Sequence, residues 1–172
     1  MVSLGLVSAG WLQSHQRPPR PTTTVVVPSV PTTIFVLVEE NTEFGNIIGN
    51  PSMPTINALA QKHGLATNYF GTTHPSEGNY VSLVGGDDYG THADVPYTTH
   101  VIDKPSIVDQ LEAAGLTWKG YFQNMPSAGF TGTCYPSECL YASKHNGFVS
   151  FTHVSSNPQE MPKLVPDTKS GR

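Results

Sequence analysis

Ile34-Phe35-Val36-Leu37-Val38-Glu39-Glu40-Asn41 carries the clearest signal of fold class in the chain. Five apolar residues run without interruption, and three of them are β-branched. Such a run reads as a short strand buried on both faces, as inside a parallel sheet. It stops at polar residues, and in open α/β sheets the chemistry gathers in loops at the carboxyl ends of strands. Further along, Ser52-Met53-Pro54 opens a helical pattern with Ile56, Leu59 and Ala60 on one face and Gly64 as its stop. Leu65 to Phe70 reads as a second strand, followed by a turn-rich loop from Gly71 to Gly78. The pattern then predicts a short helix over Asn79–Val84 and an amphipathic helix over Pro105–Ala114, with Gly115 as its stop. A third strand is expected over Thr117–Phe122, a helical piece near Leu140–Lys144 and a last strand over Phe148–Phe151. Strands alternating with helices predict an α/β fold, a mostly parallel sheet with helices on both faces.

The remaining composition narrows the function classes. Of 172 residues only 13% are charged, and the net charge is −4. That balance gives no basic field for nucleic acid or an anionic membrane. No apolar run approaches the roughly 18 residues needed to span a bilayer. Low charge with many Thr, Ser, Pro and Gly points to an exported, extracytoplasmic protein. Residues 1–33 read as a leader remnant and a Pro/Thr-rich linker, because repeated Pro removes backbone donors and favours extended chain. The folded part is expected over 34–154, and 155–172 reads as a polar tail. Cys134 and Cys139 bracket the turn-like Tyr135-Pro136-Ser137-Glu138. A small disulfide loop is the preferred reading, ahead of a zinc site or two buried thiols.

Candidate chemistry sits in the two strand-end loops. Glu40 and Asn41 are hard oxygen donors suited to a divalent cation; the plain alternative is polar residues that end a strand. Ser76 lies just before an apparent helix start, where amide N–H groups and the helix dipole favour a phosphate; the plain alternative is an N-cap. Asn79 is able to donate its amide to a phosphate oxygen or to serve as a cap. Lys144 and His145 offer contacts to an anion from a loop. His92 and His100 flank a polar loop with Asp87, Asp88 and Asp94, for which solvation is the simpler reading.

Four stretches in order carry a resemblance. They are Val38–Gly49, Leu65–Gly86 with its His74-Pro75-Ser76-Glu77-Gly78-Asn79-Tyr80, Asp109–Tyr121, and Lys144–Phe148. Over Ile34–Val154 the chain resembles the N-terminal part of the phosphoesterase family of acid phosphatases and phosphatidylcholine-type phospholipases C. That family belongs to the alkaline-phosphatase-like superfamily. The resemblance implies a partial alkaline-phosphatase-like sandwich and a metal-dependent phosphoric ester hydrolase acting on a small phosphomonoester or a phospholipid head group. It implies Ser76 as nucleophile, Glu40, Asn41 and Ser76 as ligands of a divalent metal ion of unknown identity, and Asn79 and His145 as phosphate-binding residues.

Two departures qualify what the resemblance implies. Gly78 stands where the family usually has Pro, which predicts a looser nucleophile turn. The family's downstream acidic pair is missing, since Asp167 is the one aspartate after the Lys-His-Asn stretch and stands in Val-Pro-Asp-Thr. The expectation is a domain truncated at its C-terminus. The alternative function is a catalytically inactive remnant, at most an anion-binding module.

Overall fold

The computed structural model describes residues 33–167, so the expected leader and most of the linker lie outside the described residues. The chain divides into two compact units, Met1–His63 and Gly64–Arg172.

In the first unit the expected strand does not form. Ile34–Val38 carries no strand pairing, and Phe35 is 85% exposed. An extended segment gains stability only when a neighbour takes its N–H and C=O groups and covers its side chains. None of the described strands pairs with it. Two helices follow, α1 (Phe44–Ile47) and α2 (Pro54–His63). Pro54 fits the first helical position because the N–H it lacks would have had no partner there. Lys62 and His63 in the last turn complement the negative end of the dipole. Asn57 ties the helices together. Its Nδ2 donates to the carbonyls of Ile47 (2.9 Å), Asn50 (3.2 Å) and Met53 (2.7 Å), and its Oδ1 accepts the Gly49 N–H (2.7 Å).

In the second unit Leu65–Phe70 is likewise exposed and without strand pairing. Helix α3 (Ser76–Gly85) begins three residues before the expected start and ends at Gly86, whose φ of 77° is the left-handed stop that glycine adopts freely. Glu77, Gly78, Val81 and Val84 are buried on one face. Helix α4 (Ile107–Ala113) is held by a capping box: Ser106 Oγ accepts the Val108 N–H, and Asp109 Oδ2 accepts the Ser106 N–H at 2.7 Å. His153 adds to this cap, its Nε2 lying 2.9 Å from Asp109 Oδ2 and 3.1 Å from Ser106 Oγ.

Strand β1 (Gly120–Phe122) overlaps the expected third strand. Strands β2 (Cys134–Tyr135) and β3 (Tyr141–Ala142) pair antiparallel, and Cys134 and Cys139 form a disulfide within that hairpin. The expected helical piece near Leu140 is thus partly strand, because the hairpin supplies 141–142 with a ladder partner. The expected strand Phe148–Phe151 is instead a 3-10 turn over Gly147–Ser150, with Phe151 in a single parallel bridge to Ile102. Helix α5 (Thr152–Ser155) follows at the end of the expected folded part, and strand β4 (Leu164–Pro166) lies in the stretch read as a polar tail. β4 pairs parallel with β1 in the register Gly120↔Leu164, Tyr121↔Val165, Phe122↔Pro166. A few apolar side chains suffice for this: Val154, Met161 and Leu164 are buried. Among the described residues the fold is mixed α/β with two small two-stranded sheets, in place of the expected broad parallel sheet with helices on both faces.

The core gathers Val81, Val84, Ile102, Val108, Val149, Phe151, Val154 and Leu164 around α3 and the 147–151 segment. Gly147 permits this packing. A Cβ there would lie 2.2 Å from the Tyr80 carbonyl oxygen and 2.5 Å from its carbon. Backbone cannot yield as a side-chain tip can, so Gly147→Ala is expected to cost about 1–3 kcal/mol by overpacking. The check is a urea titration, in which the midpoint falls while the slope stays that of the parent chain.

Candidate functional site

The candidate site of the second unit is the start of α3. Ser76 is the first residue of that helix, and Pro75 is the N-cap. The N-cap alternative for Ser76 therefore does not hold: Pro75 cannot cap through a side chain, and Ser76 lies one position inside. Ser76 is half-buried.

Asn79 organises the turn that precedes the helix. Its Oδ1 accepts the N–H groups of Thr72 (2.7 Å) and Thr73 (3.2 Å) and the Thr72 hydroxyl (3.2 Å). Its Nδ2 donates to the carbonyl of Thr73 at 2.7 Å and reaches that of Pro75 at 3.5 Å. The amide that sequence reasoning assigns to a phosphate is thus engaged with the backbone around Ser76. Nor is the turn loose. A Cβ at Gly78 would lie 2.3 Å from the Thr91 carbonyl oxygen, so the absent side chain lets the 91–95 loop lie against the first turn of α3.

That loop brings charge to the helix start. Glu77 Oε2 accepts the Val95 N–H at 2.9 Å, and the Glu77 N–H donates to Asp94 Oδ1 at 3.0 Å. Asp94 Oδ2 in turn accepts from Lys144 Nζ at 2.6 Å. Lys144 belongs to the 3-10 turn Ser143–His145, whose His145 ring lies 5.3 Å from that of Tyr80 on α3. The structure therefore brings the Ser76 turn, Asn79 and the Lys144-His145 stretch together. Glu40 and Asn41 belong to the first unit, where both are exposed and Asn41 has a φ of 61°.

The electrostatics follow from burial and pairing. Glu77 is 1% exposed, and burial pushes its carboxyl above the ordinary value, against the Val95 N–H and the neighbouring cations. Its Oε1 has no hydrogen-bond partner among the described residues. Burial also pulls Asp94 upward, but Lys144 and the Glu77 N–H outweigh it and hold that carboxyl below its ordinary value. One helix amide that a phosphate would use is therefore already given to an internal carboxylate.

Sequence reasoning missed the roles of Glu77 and Asp94. An acidic residue in a first turn reads as a dipole partner, and Asp94 sits in a stretch of ordinary loop composition. Neither signal reveals burial. Metal chemistry is not completed by the described residues. Glu40 and Asn41 offer two oxygen donors, whereas hard cations take about six or more. No group of three or more His, Cys, Asp or Glu suited to a metal ion occurs among the described residues. These residues do not by themselves fit the divalent ion that the resemblance implies.

Comparison with known proteins gives one family. Residues 50–172 match the model of the Phosphoesterase family, a span that starts after Glu40 and Asn41 and runs through the stretch expected to be a tail. A probable acid phosphatase of Kluyveromyces lactis is 34% identical over 76% of this chain and 31% of its own length. A phosphatidylinositol-3-phosphatase of Mycobacterium tuberculosis is 37% identical over 70% of this chain and 39% of its own. An acid phosphatase of Aspergillus fumigatus is 31% identical over 62% of this chain and 24% of its own. The chain thus spans well under half the length of these relatives. No solved structure shows significant similarity to it.

The two carboxylates predict opposite pH responses. Asp94, held low in the folded state, contributes stability that is present above the unfolded value and lost as pH falls through the folded one. Glu77, held high, binds its proton more tightly when folded, so its contribution declines as pH rises past its ordinary value near 4.5. Urea midpoints at about pH 4 and about pH 7 are expected to show the deficit of Asp94→Asn growing with pH and Glu77→Gln gaining on the parent chain.

Proposed function

The chain belongs to the Phosphoesterase family, and on that premise we propose that it is the serine-bearing part of a phosphoric ester hydrolase of acid-phosphatase type. The observation that carries the reading is the place of Ser76. It opens a ten-residue helix, on a turn pinned by the Asn79 side chain, beside the Lys144-His145 stretch. A hydroxyl at a helix start faces amide N–H groups and the positive end of the dipole, which suits a phosphoryl group. In this reading Ser76 Oγ attacks phosphorus and gives up its proton. The P–O bond to the alcohol breaks, and the alcohol leaves protonated. Water then hydrolyses the phosphoseryl ester and frees inorganic phosphate and Ser76. The Lys144 ammonium and the His145 ring offer donors to the phosphoryl oxygens, and Asn79 holds the turn in shape.

The substrate class we propose is a small phosphomonoester or the phosphate of a lipid head group. The relatives named as acid phosphatases and as a phosphatidylinositol-3-phosphatase support that range. Dependence on a divalent ion belongs to the same proposal, with Glu40, Asn41 and Ser76 as the ligands this sequence offers. A hard cation takes about six oxygen donors, more than these three residues supply. We also place the protein outside the cytoplasm. The Cys134–Cys139 disulfide supports this, because such bonds persist in oxidising compartments.

A second reading has its own support. Glu40 and Asn41 offer two oxygen donors where a hard cation takes about six, and Lys144 and the His145 ring lie beside the Ser76 helix. Together these favour a module that holds an anion without turning it over.

Hydrolysis of p-nitrophenyl phosphate with added Mg²⁺, Mn²⁺, Zn²⁺ or Ca²⁺ separates the two. The hydrolase reading expects metal-stimulated turnover that Ser76→Ala lowers on the order of 10³-fold or to background. Equal rates for the two chains rule it out and leave the binding module.

A further inference from the structure

Three segments meet at one carboxylate. The Ala93-Asp94-Val95 loop is latched to α3 by two bonds in opposite directions, Val95 N–H to Glu77 Oε2 and Glu77 N–H to Asp94 Oδ1. The second oxygen of Asp94 takes the ammonium of Lys144 at 2.6 Å. The Asp94 side chain is 24% exposed and that of Lys144 36%, so the pair is partly sheltered. It is worth more than a fully solvated surface pair for that reason. The residue whose N–H is held follows Ser76 directly, and the residue whose ammonium is held precedes His145 directly.

We propose that Asp94 is a positioning residue that fixes the Lys144-His145 stretch against the Ser76 turn. The proposal rests on the serine phosphoesterase reading for its catalytic consequence, and on the three bonds above for its geometry. The physical reason is the shape of a carboxylate. Its two oxygens lie on one rigid group, so bonds to Glu77 N–H and Lys144 Nζ fix the separation of the two segments. Two independent contacts of the same strength would leave that separation free. The carboxylate also holds the Lys144 ammonium near the helix start. Direct competition is the opposite role. If Asp94 merely blocked the helix amide, its removal would open the site to phosphate.

The test compares the full chain with Asp94→Ala, Asp94→Asn and Asp94→Glu. Three measurements are made: the Tyr80–His145 ring contact and Glu77 amide exchange by NMR, the urea midpoint, and kcat and KM for p-nitrophenyl phosphate with a divalent cation. Positioning expects the ring contact and Glu77 protection to weaken in Ala and Asn and to return in part in Glu. It expects kcat to fall about 10- to 100-fold, as misplacement of a reacting group does, with KM little changed. A loss of folding stability alone would not produce that split. An unchanged ring contact with parental Glu77 exchange in Asp94→Ala overturns the proposal, and so does tighter binding of inorganic phosphate by that variant. If the parent chain and Ser76→Ala hydrolyse equally, the serine reading fails. The NMR comparison still decides the role of Asp94, since it requires no turnover.

Discussion

The buried face of α3 sets how closely the rest of the second unit can approach. Glu77, Gly78, Val81, Val84 and Gly85 follow helical spacing along one side. The two glycines are where other backbone and rings come nearest. At Gly78 the neighbour is the Thr91 carbonyl, and at Gly85 it is the ring of Phe151. Gly147 answers from the opposite segment, where it meets the Tyr80 carbonyl. Close packing through absent side chains draws the 91–95 loop and the 143–151 stretch onto the helix. Val81 and Phe151, both fully buried, fill the space between.

The same closeness explains the charges. Drawing a loop onto the first turn of α3 removes the solvent that would have served Glu77 and its amide. A buried carboxylate costs free energy unless it is bonded, and the 91–95 loop supplies the Val95 N–H. Asp94 then meets the Glu77 N–H, and Lys144 meets Asp94. The polar network follows from the packing, and it leaves the Ser76 turn and the Lys144-His145 stretch as neighbours. A second network does similar work at the surface. Lys163 bonds Glu112 and Glu160 and lies 5.3 Å over the Trp118 ring, and with the Trp118 N–H it draws the Glu112 carboxyl down to about 2. Glu112 is well exposed, so its effect on stability is screened and small.

The helices were legible because their signals are local. Pro54 at a first turn, and Gly64 and Gly115 as stops, each act within a few residues. Helix α3 was foreseen three residues short, because Ser76-Glu77-Gly78 carries a glycine and no apolar residue. Strands fared worse. Ile34–Val38 and Leu65–Phe70 have the composition of buried strands but no ladder in the described residues. Leu164–Pro166, in a stretch of polar aspect, pairs with Gly120–Phe122. A strand's stability resides in its partner, and composition does not say whether a partner is there.

The candidate site divides along the same line. The residue order alone carries the chemistry on offer: a serine just ahead of a helix, an amide three residues on, a basic pair before Gly147-Phe148, and two cysteines five residues apart. Those depend on residue types and short spacings, which folding does not alter. Long-range packing settles that Asn79 serves the backbone of its own turn, that Glu77 is buried, and that Asp94 joins Ser76's helix to Lys144. Those depend on which distant groups lose their water together, and contacts between segments decide that.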